Sequence, residues 1–391
     1  MMTRLFSFLI ALFFGCHGAF AEESDTTPNG SWWSTLGDGF SYRIQGLLYG
    51  IARNPQDSLL NPDNALAISR YQGTAELRPD LGFSYENLTL AIKPRFNVTW
   101  EHWEDGRLDG ETDTDEDAFI NEWMARLRFG QRVFVSYGRE DLQWGPSFLL
   151  SPSNPFNPRN GRNNLWLEEP GLDYGKAIWV INPTWTTSLI ANTREGRLDL
   201  FEDFRKTYAT KVDYTGDGRY GSFIISHRES GPTRFGLFAG VTVSDAMLLH
   251  IEGSADDDSE SNVLVGGTYT LDNGSTLALE YYHNSAGCDD RQIRNCFFPF
   301  ADTSPDLSLF RRNYGLVQYF NNAFIRNDLE LVLRGVLNFD DGSNLLITQL
   351  KYELNDYSEL FTVAEWATGD TEDEFGALSE YSIMGGLSLT Y

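Results

Sequence analysis

Leu88-Thr-Leu-Ala-Ile-Lys-Pro-Arg-Phe-Asn-Val-Thr-Trp-Glu-His-Trp103 is the stretch whose side-chain period decides the fold. In an extended strand Leu88, Leu90, Ile92, Phe96, Val98 and Trp100 fall on one face, and Thr89, Lys93, Arg95, Asn97, Thr99 and Glu101 on the other. A strand of a soluble sandwich would not line its buried side with Lys93, Arg95 and Glu101. A strand with lipid on one side and enclosed water on the other does so readily. The segregation recurs from Asp328 to Phe339, where Leu329, Leu331, Leu333, Leu337 and Phe339 oppose Glu330, Arg334 and Asn338. It recurs near the start, where Phe40, Tyr42, Ile44 and Leu48 oppose Ser41, Arg43, Gln45 and Arg53.

The chain ends on a third such segment, Tyr381 to Tyr391, with Tyr381, Ile383, Gly385, Leu387, Leu389 and Tyr391 on one face. An alternating strand that stops on an aromatic carboxy-terminus resembles the terminal signature of Gram-negative outer-membrane β-barrels. The resemblance implies that Leu387, Leu389 and Tyr391 form the signal read by the barrel assembly machinery. At the other end, Arg4 precedes the apolar run Leu5 to Phe14, and Ala19-Phe20-Ala21 has the small residues of a signal-peptidase site. The run is about ten residues, short of the roughly 20 a membrane-spanning helix needs. The expected organisation is a cleaved signal peptide at 1–21, a polar periplasmic lead at 22–39 carrying Trp32 and Trp33, and a barrel over 40–391.

About 18 strand segments can be counted, near 40–53, 67–85, 88–103, 117–129, 132–144, 175–182, 184–193, 205–214, 219–228, 233–243, 246–254, 262–271, 275–283, 312–320, 328–339, 344–354, 358–368 and 380–391. The expected fold class is an all-β, transmembrane antiparallel β-barrel, and an even strand number puts both termini on one side, the periplasmic one. Short turns such as Glu86-Asn87, Gly130-Gln131, Asn182-Pro183 and Asp272-Asn273-Gly274 alternate with long connectors at 54–66, 104–116, 145–174, 284–311 and 369–379, which are expected to face outward. Pro79 interrupts the second segment, since it has no N–H to give the ladder. No repeat of 20 to 50 residues is present.

Residues 145–174 are unusual. Pro146, Pro152, Pro155 and Pro158 forbid regular structure, yet Phe148, Leu149, Leu150, Phe156, Leu165, Trp166 and Leu167 call for burial. A connector this long and apolar is expected to fold into the barrel and narrow it with Arg159, Arg162, Asn163, Asn164, Glu168 and Glu169; the alternative is a lid over the outer mouth. Its Trp-Gly-Pro step and Pro-rich run resemble a segment of porin-like outer-membrane barrels and, more faintly, capsule-assembly barrels of the Wzi type.

A basic inner wall is the second constellation. Alternation points Arg43, Lys93, Arg95, Arg126, Arg128, Arg205, Lys211 and Arg334 at the lumen, and of 30 basic residues only five are lysines. Guanidinium groups suit carboxylate or phosphate and lower the barrier for anions in a narrow pore. Glu101, Glu122, Asp213, Glu330 and Glu353 point inward too, so the wall either presents free arginines or neutralises itself. At fold level this wall resembles the arginine-lined conduit of alginate exporters.

Other chemistries fit less well. A net charge of −26 disfavours nucleic acid. Asp113, Asp115 and Asp117 have the opening spacing of a calcium loop, but Ala118 and Met124 stand where Gly and Glu are required, so no metal site is expected. The acidic loops suit a solvated rim or divalent bridging to lipopolysaccharide. Cys288 and Cys296 are expected to form a disulfide within one surface loop. His283-Asn284-Ser285 is the nearest approach to a barrel hydrolase site and lacks its pattern. The expected function is passive, cofactor-free diffusion of small or linear polar solutes, anionic ones or acidic oligosaccharides foremost, in contact with outer-membrane lipids and lipopolysaccharide. A polysaccharide-binding barrel with a closed lumen is the alternative; its sign would be Trp103, Trp144 and Trp166 exposed together. An outer-membrane hydrolase is the third reading.

Overall fold

The computed structural model describes residues 39–158, 166–197, 204–257, 260–296, 309–322 and 328–391. The expected signal peptide and all but the last residue of the lead lie outside them, as do Arg159, Arg162, Asn163 and Asn164.

Eighteen strands form one sheet: β1 (Phe40–Pro55), β2 (Tyr71–Tyr85), β3 (Leu88–His102), β4 (Thr112–Phe129), β5 (Val133–Glu140), β6 (Leu172–Val180), β7 (Trp185–Arg194), β8 (Thr207–Gly216), β9 (Arg219–Arg228), β10 (Thr233–Ser244), β11 (Met247–Asp256), β12 (Ser261–Thr270), β13 (Thr276–Asn284), β14 (Asn313–Asn321), β15 (Leu329–Asn338), β16 (Asn344–Asn355), β17 (Ser358–Thr368) and β18 (Ser379–Thr390). Each pairs antiparallel with the next, and β1 pairs with β18, with Gln45 opposite Thr390 and Ala52 opposite Ile383. The sheet therefore closes on itself and leaves no edge of unpaired backbone groups, which a spanning sheet requires. The seam runs to the last residue: the backbones of Ile44 and Tyr391 exchange hydrogen bonds of 2.9 and 2.8 Å, and Tyr391 stacks on Tyr42.

Alternation sorts the side chains. Leu48, Leu189, Leu279, Val317, Ile383 and their like lie exposed on the outer surface, while Ser388, Arg95, Glu252 and Arg334 are buried inside. At one end of the outer face Tyr71, His102 and Trp100 stack nearly parallel, 6.3 and 6.2 Å between centroids, the kind of aromatic band that sits at a bilayer interface.

Several expected boundaries move. β2 starts at Tyr71, not 67, because Asn64 clamps Ile68 through its Nδ2 and Oδ1 and Ala67 takes a left-handed conformation, holding a turn there. Pro79 does not end β2. Leu77 pairs with Phe96 and Leu81 with Ile92, a register that sets Pro79 against Pro94, so the ladder lapses for three residues and then resumes. β4 begins at Thr112, and Asp113, Asp115 and Asp117 stand on a strand opposite Glu101, Thr99 and Asn97 instead of in a loop. β5 stops at Glu140 because Leu142 and Trp144 turn inward onto Phe156. Arg205 is not on β8; it precedes Thr207, the first residue of the ladder, and is exposed.

On the side of the long connectors, 284–296, 309–312 and 369–378 pack into a cap over part of the rim. Cys288 and Cys296 are disulfide-bonded, and Ile293, Cys296 and Ala377 bury one another with Leu60 and Phe310. Glu374 accepts from Phe310 N (2.9 Å), Tyr314 Oη (2.6 Å) and Asn338 Nδ2 (2.8 Å), and burial pushes its carboxyl up to about 7 against these hydrogen bonds.

Candidate functional site

The described parts of the connector from β5 to β6, residues 141–158 and 166–171, enter the barrel and are fastened to opposite walls. The first part docks on two buried carboxylates. Glu252 of β11, fully buried, accepts from Ser147 Oγ (2.7 Å), Ser153 Oγ (2.7 Å), Ser153 N (3.2 Å) and Ser151 Oγ (2.5 Å). Glu280 of β13 accepts from the amides of Phe148 (2.7 Å) and Leu149 (2.8 Å) and lies 3.0 Å from His250 Nε2. Gly145 permits this approach: it has φ +88°, and a Cβ there would stand 2.3 Å from a Glu252 oxygen. The prolines keep the backbone irregular, and the apolar side chains between them fill the wall. Leu149 and Leu150 join Leu264, Tyr282, Tyr314 and Leu316. Phe156 meets Trp144 and Tyr174 edge-on at 5.9 and 5.1 Å.

The last part is held from the far side. Arg95 of β3, 1% exposed, grips Glu168 in a fork, Nε to Oε2 and Nη2 to Oε1, both 2.7 Å. Its Nη2 also meets Asp80 Oδ1 at 2.9 Å, and its Nη1 donates to the carbonyls of Pro79 (3.2 Å) and Pro94 (2.9 Å). The guanidinium thus closes the gap that the facing prolines leave in the wall. Arg78 donates through Nη2 to Trp166 O (2.8 Å) and to Glu76 (2.7 Å). Trp166 lies flat on Phe361 of β17, 4.0 Å between centroids, over an inward apolar patch of Leu47, Tyr49, Ile51 and Val363. Glu252 on β11 and Arg78 on β2 are nine strands apart in either direction round the 18, so the two described parts of the connector are fastened to opposite walls of the bore.

The other residues expected to line the lumen fall into two groups. Lys93 is paired with Glu122 at 2.9 Å, Lys211 with Asp213, and Lys351 with Glu330 at 3.2 Å. Arg334, 3% exposed, donates to Gln318 Oε1 at 2.8 Å. Glu101 accepts from Ser69 Oγ at 2.9 Å. Arg43, Arg126 and Arg128 form the second group, with no carboxylate within 4.0 Å among the described residues. Arg126 Nη2 lies 3.1 Å from Met124 Sδ, and Arg128 Nη2 3.4 Å from Glu86 O, toward the short-turn end of β4. A bulge at Lys93/Pro94 turns both Asn121 and Glu122 inward, and Asn121 Nδ2 reaches Glu168 at 3.1 Å. Glu169 lies near Asp141, whose carboxyl is pushed up to about 6 by burial and by the charges of Glu169 and Glu122.

Arg95 and Glu168 are among the residues expected from the sequence, whereas the other fasteners are not. Arg78, Glu252 and Glu280 obey the same alternation as Arg95, and the repeated serines at 147, 151 and 153 were the available hint of a carboxylate opposite them. Trp103 is buried and donates to Ala67 O (2.8 Å), Trp166 is buried on Phe361, and Trp144 packs on Phe156, so the three do not form an exposed platform. His283 Nδ1 is bound to Asn313 Oδ1 at 2.9 Å, and Ser285 Oγ accepts from Ser261 N.

No family model matches the chain, and no curated protein matches it. Solved structures do. It is similar to OccAB1 of Acinetobacter baumannii (TM-score 0.59, 11% identity, 91% of this chain and 97% of that one). It is similar to OccK7 (OpdD) of Pseudomonas aeruginosa (0.58, 12%, 90% and 98%) and to the outer membrane protein OprD of the same organism (0.57, 10%, 90% and 94%). At such identities the likeness is one of fold. It favours the porin-like resemblance and lends no support to the alginate-export and capsule-assembly ones.

Proposed function

We propose that this chain is an integral outer-membrane channel through which small polar solutes, anions foremost, diffuse passively beside the 141–171 connector. One observation carries the reading: a closed barrel greasy outside and ionic inside holds a connector whose described parts dock on opposite inner walls, an arrangement that narrows a passage. On this reading the short turns and both termini face the periplasm, the cap faces outward, and the outer surface meets lipid and lipopolysaccharide. Residues 387–391 would serve the barrel assembly machinery. Anion preference comes from Arg43, Arg126 and Arg128, lumen arginines with no described carboxylate within 4.0 Å that, unlike the buried Arg334, are exposed or half-buried. The burial of Trp103 and Trp166 removes the feature that would favour a sugar-binding barrel.

Reversal potentials in planar bilayers under a potassium chloride gradient test the selectivity. The wild type is expected to favour chloride, and Arg126→Glu with Arg128→Glu to move the reversal potential toward potassium. A double variant with unchanged ion preference contradicts the assignment of selectivity to these arginines.

A further inference from the structure

The fork that Arg95 presents is filled by the chain itself. We infer that Arg95 is a carboxylate-binding site whose occupant in this structure is Glu168, and that an anionic solute passes by exchanging with Glu168 and so freeing Trp166 from Phe361. The inference rests on the channel reading and adds how the passage opens and which solutes open it.

Four observations support it. First, Arg95 is fixed by the wall and not by the connector: Pro79 O, Pro94 O and Asp80 take one edge of the guanidinium and leave the Nε–Nη2 edge for Glu168. Removal of Glu168 would leave that edge in place, preorganised for another carboxylate of the same geometry. Second, the occupant is reachable, since Arg95's side chain is 2% exposed but that of Glu168 is 31% exposed. A carboxylate replacing a carboxylate keeps every Arg95 donor satisfied while water takes up the released Glu168, so no buried charge is stranded. Third, a neighbouring donor awaits an acceptor: Arg78 is 6% exposed, and its Nε is buried without a hydrogen-bond partner among the described residues. Glu168 lies within the field of Arg78, Arg95 and Lys93, which hold its carboxyl below the usual range although burial pushes the other way. A short dicarboxylate fits these needs better than a neutral solute of equal size. Fourth, the coupling to the passage is short. Trp166 stands two residues before Glu168 and is tied down by the Arg78 bond to its carbonyl and by its stack on Phe361.

Two readouts test it on the full-length protein. Leu167, 45% exposed between Trp166 and Glu168, is replaced by cysteine and labelled with an environment-sensitive fluorophore. Glutarate is expected to shift the label's emission saturably, and glutaramide is expected to leave it unmoved. Adding Glu168→Gln should place the emission at its shifted value without glutarate and abolish the response; Glu169→Gln, the same charge change one residue on, should keep it. In planar bilayers glutarate should raise wild-type conductance several-fold, with Glu168→Gln already at the raised level. A label indifferent to glutarate, or a Glu168→Gln protein that still responds, overturns the exchange. A label that responds in a protein passing no current upholds the exchange and overturns the channel reading instead.

Discussion

At the residue scale the account turns on Arg95. Its five N–H groups are all used, two on proline carbonyls, two on Glu168 and the remainder on Asp80, and a lysine could not reproduce that fork. Breaking a fully buried pair costs roughly 3–5 kcal/mol. Here the loss should be smaller, about 2 kcal/mol, because an orphaned Glu168 can turn to water. Arg95→Gln is therefore expected to lower the unfolding free energy of the refolded barrel by that amount in a denaturant titration, and a variant as stable as wild type contradicts the role given to the fork. Inward placement of Arg95 followed from period two alone. Its partner did not, because pairing depends on where an irregular, proline-broken connector comes to rest, and local pattern says nothing of that.

At the scale of elements, the cap and the connector are where buried polar groups decide behaviour. Glu374 titrates near 7 in the fold, against about 4.5 when free. The folded cap thus binds its proton more tightly than the unfolded chain does. Its contribution to stability is complete below about pH 4.5 and fades as pH rises to about 7. Intrinsic-rate-corrected amide protection at Cys288, whose N–H bonds to Phe310 O, is expected to fall over that window and to stay level in Glu374→Gln. A wild-type protein with level protection contradicts it. The connector was legible as a segment that had to be buried, from Phe148, Leu149, Leu150 and Phe156 among prolines. The cap was not, for its packing of Ile293 on Ala377 joins residues far apart in sequence through loops of no fixed period.

At the scale of the molecule, strand number, closure and the sorting of faces were all readable, because a barrel imposes one rule on every strand. The expected and observed strands differ at their ends, where Asn64 and Trp144 make contacts that override alternation. The sorting can be tested at Leu279, 60% exposed on the outer face of β13 between the inward Ala278 and Glu280. Leu279→Arg should cost about 2–4 kcal/mol if this position lies near mid-membrane. An unaltered folding free energy in lipid vesicles contradicts a lipid-facing β13.

Single-channel recording of the full-length protein in planar bilayers bears most directly on whether a water-filled route remains beside the connector fastened inside the bore. Stepwise currents are expected, larger when residues 159–165 are excised. A correctly inserted, heat-modifiable barrel that passes no current with or without that excision would contradict it.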